Sequence, residues 1–184
     1  MPDRPNSEPA EQLAEVVQRV RQGSPESLAA LYRLFADQIL GTAYRILGNR
    51  ADAEDVLQDV FVGLPEALSL YREEGRLAAW LRRVAARTAL MRLRRQRREA
   101  SFSDGVDLPL RQAADARVVD RLAVADALDR MPEMLRQVFL LKEVEGFTHS
   151  EIASLLGISA GASGVRLHRA WLLIHKLLGT REHT

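Results

Sequence analysis

Asp52, Asp55 and Asp59 recur at helical spacing, and Arg83, Arg87 and Arg94 do the same further along the chain. The aspartates share one arc and form an acidic surface suited to ion pairs with a cationic partner. The arginines form a row of permanently charged guanidiniums, matched in shape and charge to phosphate oxygens. Arg92, Arg95, Arg97 and Arg98 extend that row as generic phosphate attraction without base readout. Between the two sets runs Leu70-Tyr71-Arg72-Glu73-Glu74-Gly75-Arg76, one aromatic ring among charges. An aromatic with cations suits an unstacked base of single-stranded nucleic acid, where stacking contributes about 1–3 kcal/mol per base. A Tyr71 packed beneath its own loop is the equal alternative. Segregated charge of both signs implies two partners, one cationic and one polyanionic.

Bond-making chemistry finds no constellation. His149, His168, His175 and His183 have no cysteine to join them, and His168 and His175 lie too far apart on one helix for paired ligation a turn away. No glycine-rich phosphate loop or nucleophile elbow is present. The chain has no cysteine, which excludes disulfides, thiolate metal sites and thiol catalysis. A protein that is not an enzyme and uses no metal or cofactor is expected.

The elements that position these residues are helical. The chain has 184 residues, 47% hydrophobic and 28% charged, enough for one domain or two small ones with real cores. Its net charge of +1 conceals the local blocks. Residues 1–23 read as a partly mobile N-terminal segment, with a helix from Ala10 to Gln22 ended by Gly23. Ser24 is an N-cap with Pro25 at the first helical position, and the helix it starts carries Leu28, Leu31, Leu34, Phe35, Ile39, Ala43, Ile46 and Leu47 before Gly48-Asn49. In the acidic helix Val56, Leu57, Val60 and Leu64 share the apolar arc, and Pro65 is expected to kink or end it near Leu64. The arginine helix, Leu77 to Arg98, shows an apolar stripe of Leu77, Trp80, Leu81, Val84, Thr88 and Met91, with Trp80 a core residue.

Periodicity fades over residues 101–120, where Ser101-Phe102-Ser103-Asp104-Gly105-Val106-Asp107-Leu108-Pro109 marks a linker. An amphipathic stretch from Val118 to Arg130 and a helix from Glu133 to Glu145 follow. Thr148-His149-Ser150-Glu151 has the form of a capping box, and its short helix ends at Gly157. In the last helix Leu167, Ala170, Trp171, Ile174 and Leu178 face inward while Val165, Arg169, Leu172 and Lys176 face outward. Two helices joined by a short glycine turn form a helix-turn-helix, with Arg166 and Arg169 placed for phosphates and Ser159 at the helix start. The fold class is therefore all-α: two small helical domains, 24–100 and 121–180, joined by a flexible linker, the C-terminal one a helix-turn-helix. No secretory signal is read at the N-terminus and no apolar run approaches the roughly 20 residues that span a bilayer, so a cytoplasmic protein without membrane insertion is expected.

In this order the pieces resemble the extracytoplasmic-function group of sigma factors. Asp52-Ala53-Glu54-Asp55-Val56-Leu57-Gln58-Asp59-Val60-Phe61 resembles the region-two helix that meets core polymerase. Phe147 to Ser159, with Arg166-Leu167-His168-Arg169-Ala170, resembles region four, and Ala79-Trp80-Leu81 before the arginines adds a weaker match. The resemblance covers roughly residues 25 to 178. It implies a bacterial transcription initiation factor whose Asp52, Glu54, Asp55, Gln58 and Asp59 dock on the β′ clamp helices of core RNA polymerase, with the β flap as a second contact. It implies that Tyr71, Arg72, Glu74, Arg76, Arg83, Arg87 and Arg94 meet minus-ten promoter DNA. Ser159, Ser163, Gly164, Val165, Arg166, His168 and Arg169 would meet the minus-thirty-five element. An anti-sigma factor is the further partner it implies. The chain departs from the family pattern at Gly164 and Val165, where a basic residue and a serine are common, and at Thr88 and Met91, where asparagine and aspartate are. The rival readings are an autonomous helix-turn-helix regulator that dimerises through its first half, and a helical module that inhibits another factor by mimicry.

Overall fold

The computed structural model describes residues 8–72, 76–102, 127–128 and 130–179. Among them it contains α-helices, one π-helical turn and no strand. The chain divides into two compact units, residues 1–91 and 92–184.

The first unit begins with α1 (Glu8–Arg21), α2 (Pro25–Leu47) and α3 (Arg50–Ser69). Ser24 caps α2 by accepting the Ser27 amide at 3.2 Å, and Pro25 follows where its missing N–H leaves nothing unpaired. The Glu26 carboxyl is held below its usual range by its own backbone amide and by the Ser24 hydroxyl, which donates to it at 3.0 Å. At the far end Gly48 takes a left-handed conformation (φ 72°) that lets its N–H reach the Tyr44 carbonyl at 2.7 Å. Asn49 then starts α3, its side chain accepting the amides of Ala51 at 2.8 Å and Asp52 at 3.3 Å. One helix thus stops and the next starts within two adjacent residues.

Helix α3 buries Ala53, Val56, Leu57, Val60, Phe61, Leu64 and Leu68. Pro65 does not end it. The proline removes one backbone hydrogen bond, but Leu64 and Leu68 on either side are fully buried and hold the last turn in place. Helix α1 is part of this packing: Val17 and Val20 are buried and the helix lies against α2 and α3. Arg21, at its end, donates to the Leu68 carbonyl at 3.0 Å and to the Tyr71 carbonyl at 2.6 Å. A guanidinium at the carbonyl end of α3 adds a charged donor to Leu68, which also accepts the Tyr71 amide at 3.1 Å, and complements the helix dipole.

Helix α4 (Leu77–Phe102) buries Leu77, Leu81, Ala85, Ala86, Ala89 and Leu90. This stripe is rotated from the expected one. Val84 and Thr88 are half-buried and Met91 is exposed. The alanines decide the rotation: having no side chain beyond Cβ, they allow close approach of neighbouring elements, so the helix turns its small side inward. The Thr88 hydroxyl donates to the Val84 carbonyl at 3.0 Å, which satisfies it within its own helix.

The second unit contains α5 (Glu133–Phe139), a π-helical turn (Leu140–Val144), α6 (His149–Leu156) and α7 (Ala160–Gly179). The expected helix to Glu145 opens midway: the Glu145 amide bonds the Leu140 carbonyl, five residues back, at 3.0 Å. Val138, Phe139, Leu140 and Leu141 are all buried there, a run of four that one face of a regular helix does not cover. The expected linker beyond Phe102, and most of the stretch from Val118 to Arg130, lie outside the described residues.

The capping box forms as expected. Thr148 accepts the Glu151 amide at 3.2 Å and its own amide donates to the Glu151 carboxylate at 2.8 Å. Gly157 ends α6 in a left-handed conformation (φ 67°), and Ser159 accepts the Ala162 amide at 3.0 Å as α7 begins. Met131, Phe139, Ala170 and Ile174 form a core, with Leu128, Leu135 and Leu167 packed around it. Trp171, expected inward, is 39% exposed and lies edge-on against Phe139 at 5.2 Å. The two helices of the helix-turn-helix are joined near their starts by a 2.9 Å bond between His149 Nδ1 and the hydroxyl of Ser163, whose side chain is fully buried.

Replacing Arg21→Met keeps the apolar stem and removes the cation; it is expected to lower stability by about 2 kcal/mol, read as a lower urea midpoint by circular dichroism. A midpoint equal to that of the parent would show that the two carbonyls are satisfied equally well without it. A double-mutant cycle of His149→Ala and Ser163→Ala should give a coupling of about 1 kcal/mol. Strict additivity would mean that the bond contributes nothing.

Candidate protein and nucleic-acid interfaces

On α3 the burial of one face leaves the acids on the other. Asp55, Gln58 and Asp59 are exposed, Asp52 is half-buried, and Glu54 is exposed and ion-paired at 2.8 Å with Arg50 one turn earlier. A surface pair of this kind contributes about 0.3–0.5 kcal/mol and opens readily for a better-placed cation. Val62, three residues beyond Asp59 and 83% exposed, continues the line of Asp55 and Asp59. Sequence reasoning missed it because it looked on that arc only for charge. An acidic stripe with an apolar end fits a cationic helical surface that also carries aliphatic stems.

The stretch after α3 differs from its expected role. Tyr71 is only 8% exposed, its ring lies 5.2 Å from that of Trp80, and its carbonyl is held by Arg21. In this conformation it supports the loop from beneath and presents no face for a base to stack on. Burial wins because Tyr71 follows the last buried turn of α3 and meets Trp80 on the first turn of α4. The described surface here consists of Arg72, Arg76 and Leu70, the last 84% exposed and missed by sequence reasoning. Glu74 lies outside the described residues. Arg83 and Arg87 are exposed one turn apart on α4. Arg94, in the second unit, donates to the Leu155 carbonyl at 2.7 Å.

On α7 the expected residues separate into three groups. Val165, His168 and Arg169 are exposed, opposite the buried stripe of Ser163, Ala170 and Ile174. Gly164 and Arg166 are half-buried on the flanks. Ser163 is a correction: expected at DNA, it is interior and its hydroxyl is taken by His149. It falls in line with Leu167, Ala170 and Ile174, so a wheel drawn through those residues would have found it. Ser159 is exposed, with its oxygen engaged by the amide it caps. The outward face of α7 is thus cationic in its middle and apolar near its start.

Comparison with known proteins agrees in order and extent. The sigma-70 region 2 model matches residues 31–99 and the sigma-70 region 4 model matches residues 121–172. RNA polymerase sigma factor CarQ of Myxococcus xanthus is 31% identical over 169 residues, which cover 90% of this chain and 97% of that protein. ECF RNA polymerase sigma factor SigE of Mycolicibacterium smegmatis is 32% identical over 155 residues, covering 80% of this chain and 60% of that protein. The sigma factor RpoE of Bartonella quintana, solved in complex with the anti-sigma factor NepR, is similar in fold, with a TM-score of 0.64 at 22% identity over 82% of this chain and 96% of that one. With both sigma regions matched in order and a 31% identical relative spanned almost end to end, the chain belongs to the extracytoplasmic-function group of the sigma-70 family of RNA polymerase sigma factors.

Proposed function

We propose that this protein joins core RNA polymerase through the acidic face of α3 and directs it to promoters read in two pieces. The observation that carries the reading is the clean division of α3, apolar residues inside and Asp55, Gln58 and Asp59 outside, in a chain matched by both sigma regions. Asp52, Glu54, Asp55, Gln58 and Asp59 meet the cationic β′ clamp helices, and the second domain meets the β flap. The unit that contains α1 to α3 acts as one domain and the unit that contains the helix-turn-helix acts as the other.

At the minus-ten element Arg72, Arg76, Arg83 and Arg87 hold the phosphates of the opened strand, with Tyr71 as support for the loop instead of a stacking platform. Guanidiniums on successive turns match a backbone whose charges repeat along one strand. At the minus-thirty-five element α7 enters the major groove, with Arg166 and Arg169 at phosphates and His168 and Val165 toward base edges. An anti-sigma factor holds the protein idle, a proposal supported by the NepR complex of RpoE. No described helix is long and apolar enough to cross a membrane, which suits action in the bacterial cytoplasm.

Reconstitution with core polymerase and promoter DNA should give specific initiation that neither component gives alone; absence of initiation would end the reading. An autonomous regulator would instead bind a palindromic site at nanomolar strength without polymerase. Asp55→Arg with Asp59→Arg should weaken core binding by about 100-fold or more, since like charges facing each other cost several kcal/mol. The circular dichroism spectrum should stay unchanged, because both side chains are exposed. Undiminished binding would mean that another face docks.

A further inference from the structure

We propose that Val165 is a specificity-determining residue and that it reads the C5-methyl group of a thymine in the upstream promoter element. The inference rests on the sigma-factor reading above and names what one position of α7 recognises. Ser163, Ala170 and Ile174, all buried, define the inner side of the helix. Val165 lies about 200° round from Ser163, on the opposite side, and is 53% exposed. The outward line continues through Gly161 one turn before it and His168, Arg169 and Leu172 beyond it, all exposed.

In a helix-turn-helix the N-terminal part of the second helix meets base edges. Here that part offers little that can hydrogen-bond a base. Gly161 has no side chain, Ser163 is buried against His149, and Gly164 has open space where a Cβ would stand. Arg166, half-buried on the flank, is directed to phosphate in the reading above, so Val165 is the bulkiest exposed group in the first two turns, and it carries two methyls and no polar atom.

The major-groove edges of guanine, cytosine and adenine are polar where a side chain arrives, and covering them with a valine would leave donors or acceptors without water or partner. Thymine alone presents a methyl group. The apolar contact therefore favours one base of four, and the same side chain penalises the other three. The open space at Gly164 leaves room for the backbone to come close enough for that contact. Polar readout falls one turn further on, to His168.

The test uses holoenzyme assembled from core polymerase and the full chain. It first selects an upstream element from a randomised duplex pool. The selected duplex is then rebuilt with deoxyuridine replacing each thymidine in turn, which removes one methyl group and leaves every hydrogen-bonding edge intact. One thymine should emerge at which the swap weakens binding about four-fold, the factor expected from burying one methyl group. With Val165→Ala, a substitution that an exposed helical position accepts, that dependence should vanish while the other positions keep theirs. If no thymine methyl matters, or if Val165→Ala keeps the full dependence, the proposal is overturned and the sigma-factor reading stands. A holoenzyme that selects no upstream sequence overturns both.

Discussion

Burial of one face of α3 is the constraint from which the first unit follows. Ala53, Val56, Leu57, Val60, Phe61, Leu64 and Leu68 leave water together, and a helix that hides those residues has only one orientation left for its acids. The backbone positions of the acids are therefore set by the buried side of the helix. The joint at Gly48-Asn49 adds to this by leaving no slack between α2 and α3.

The same economy governs the exit from α3. Arg21 joins a helix near the start of the chain to carbonyls 47 and 50 residues further on, and Tyr71 rests on Trp80 beneath the loop. Tyr71 is buried there, while Leu70, Arg72 and Arg76 are exposed. In the second unit the His149–Ser163 bond has a comparable task, fixing the start of α7 against α6 where small angular errors would displace the outward residues most.

Local signals were the most legible part of the sequence. The Ser24 cap, the Gly48 stop and the Thr148–Glu151 capping box depend on residues within a few positions of one another, and each appears where its pattern placed it. The acid-and-apolar division of α3 was legible for the same reason: its period is strong and its residues are large. What was not legible depends on distant neighbours. Nothing near Arg21 announces that it will reach Leu68, and nothing near Tyr71 decides whether its ring packs or projects. The stripe of α4 was misplaced because alanine is neither clearly apolar nor clearly polar on a wheel, yet close packing selects it. Pro65 was read as a stop because its local cost is visible and the compensating burial of Leu64 and Leu68 is not. Ser163 was placed at DNA by the family resemblance, which carries no information about the His149 that takes its hydroxyl in this chain.

The π-helical turn at Leu140–Val144 makes length itself a specified quantity. A loop can gain or lose a residue and close again elsewhere, but a widened turn holds its surplus residue inside a continuous helical path. Deleting one position there would remove that surplus and let the turn close to ordinary α-helical pitch. For this stretch, then, the irregularity is where the coil houses a residue for which a regular helix has no place.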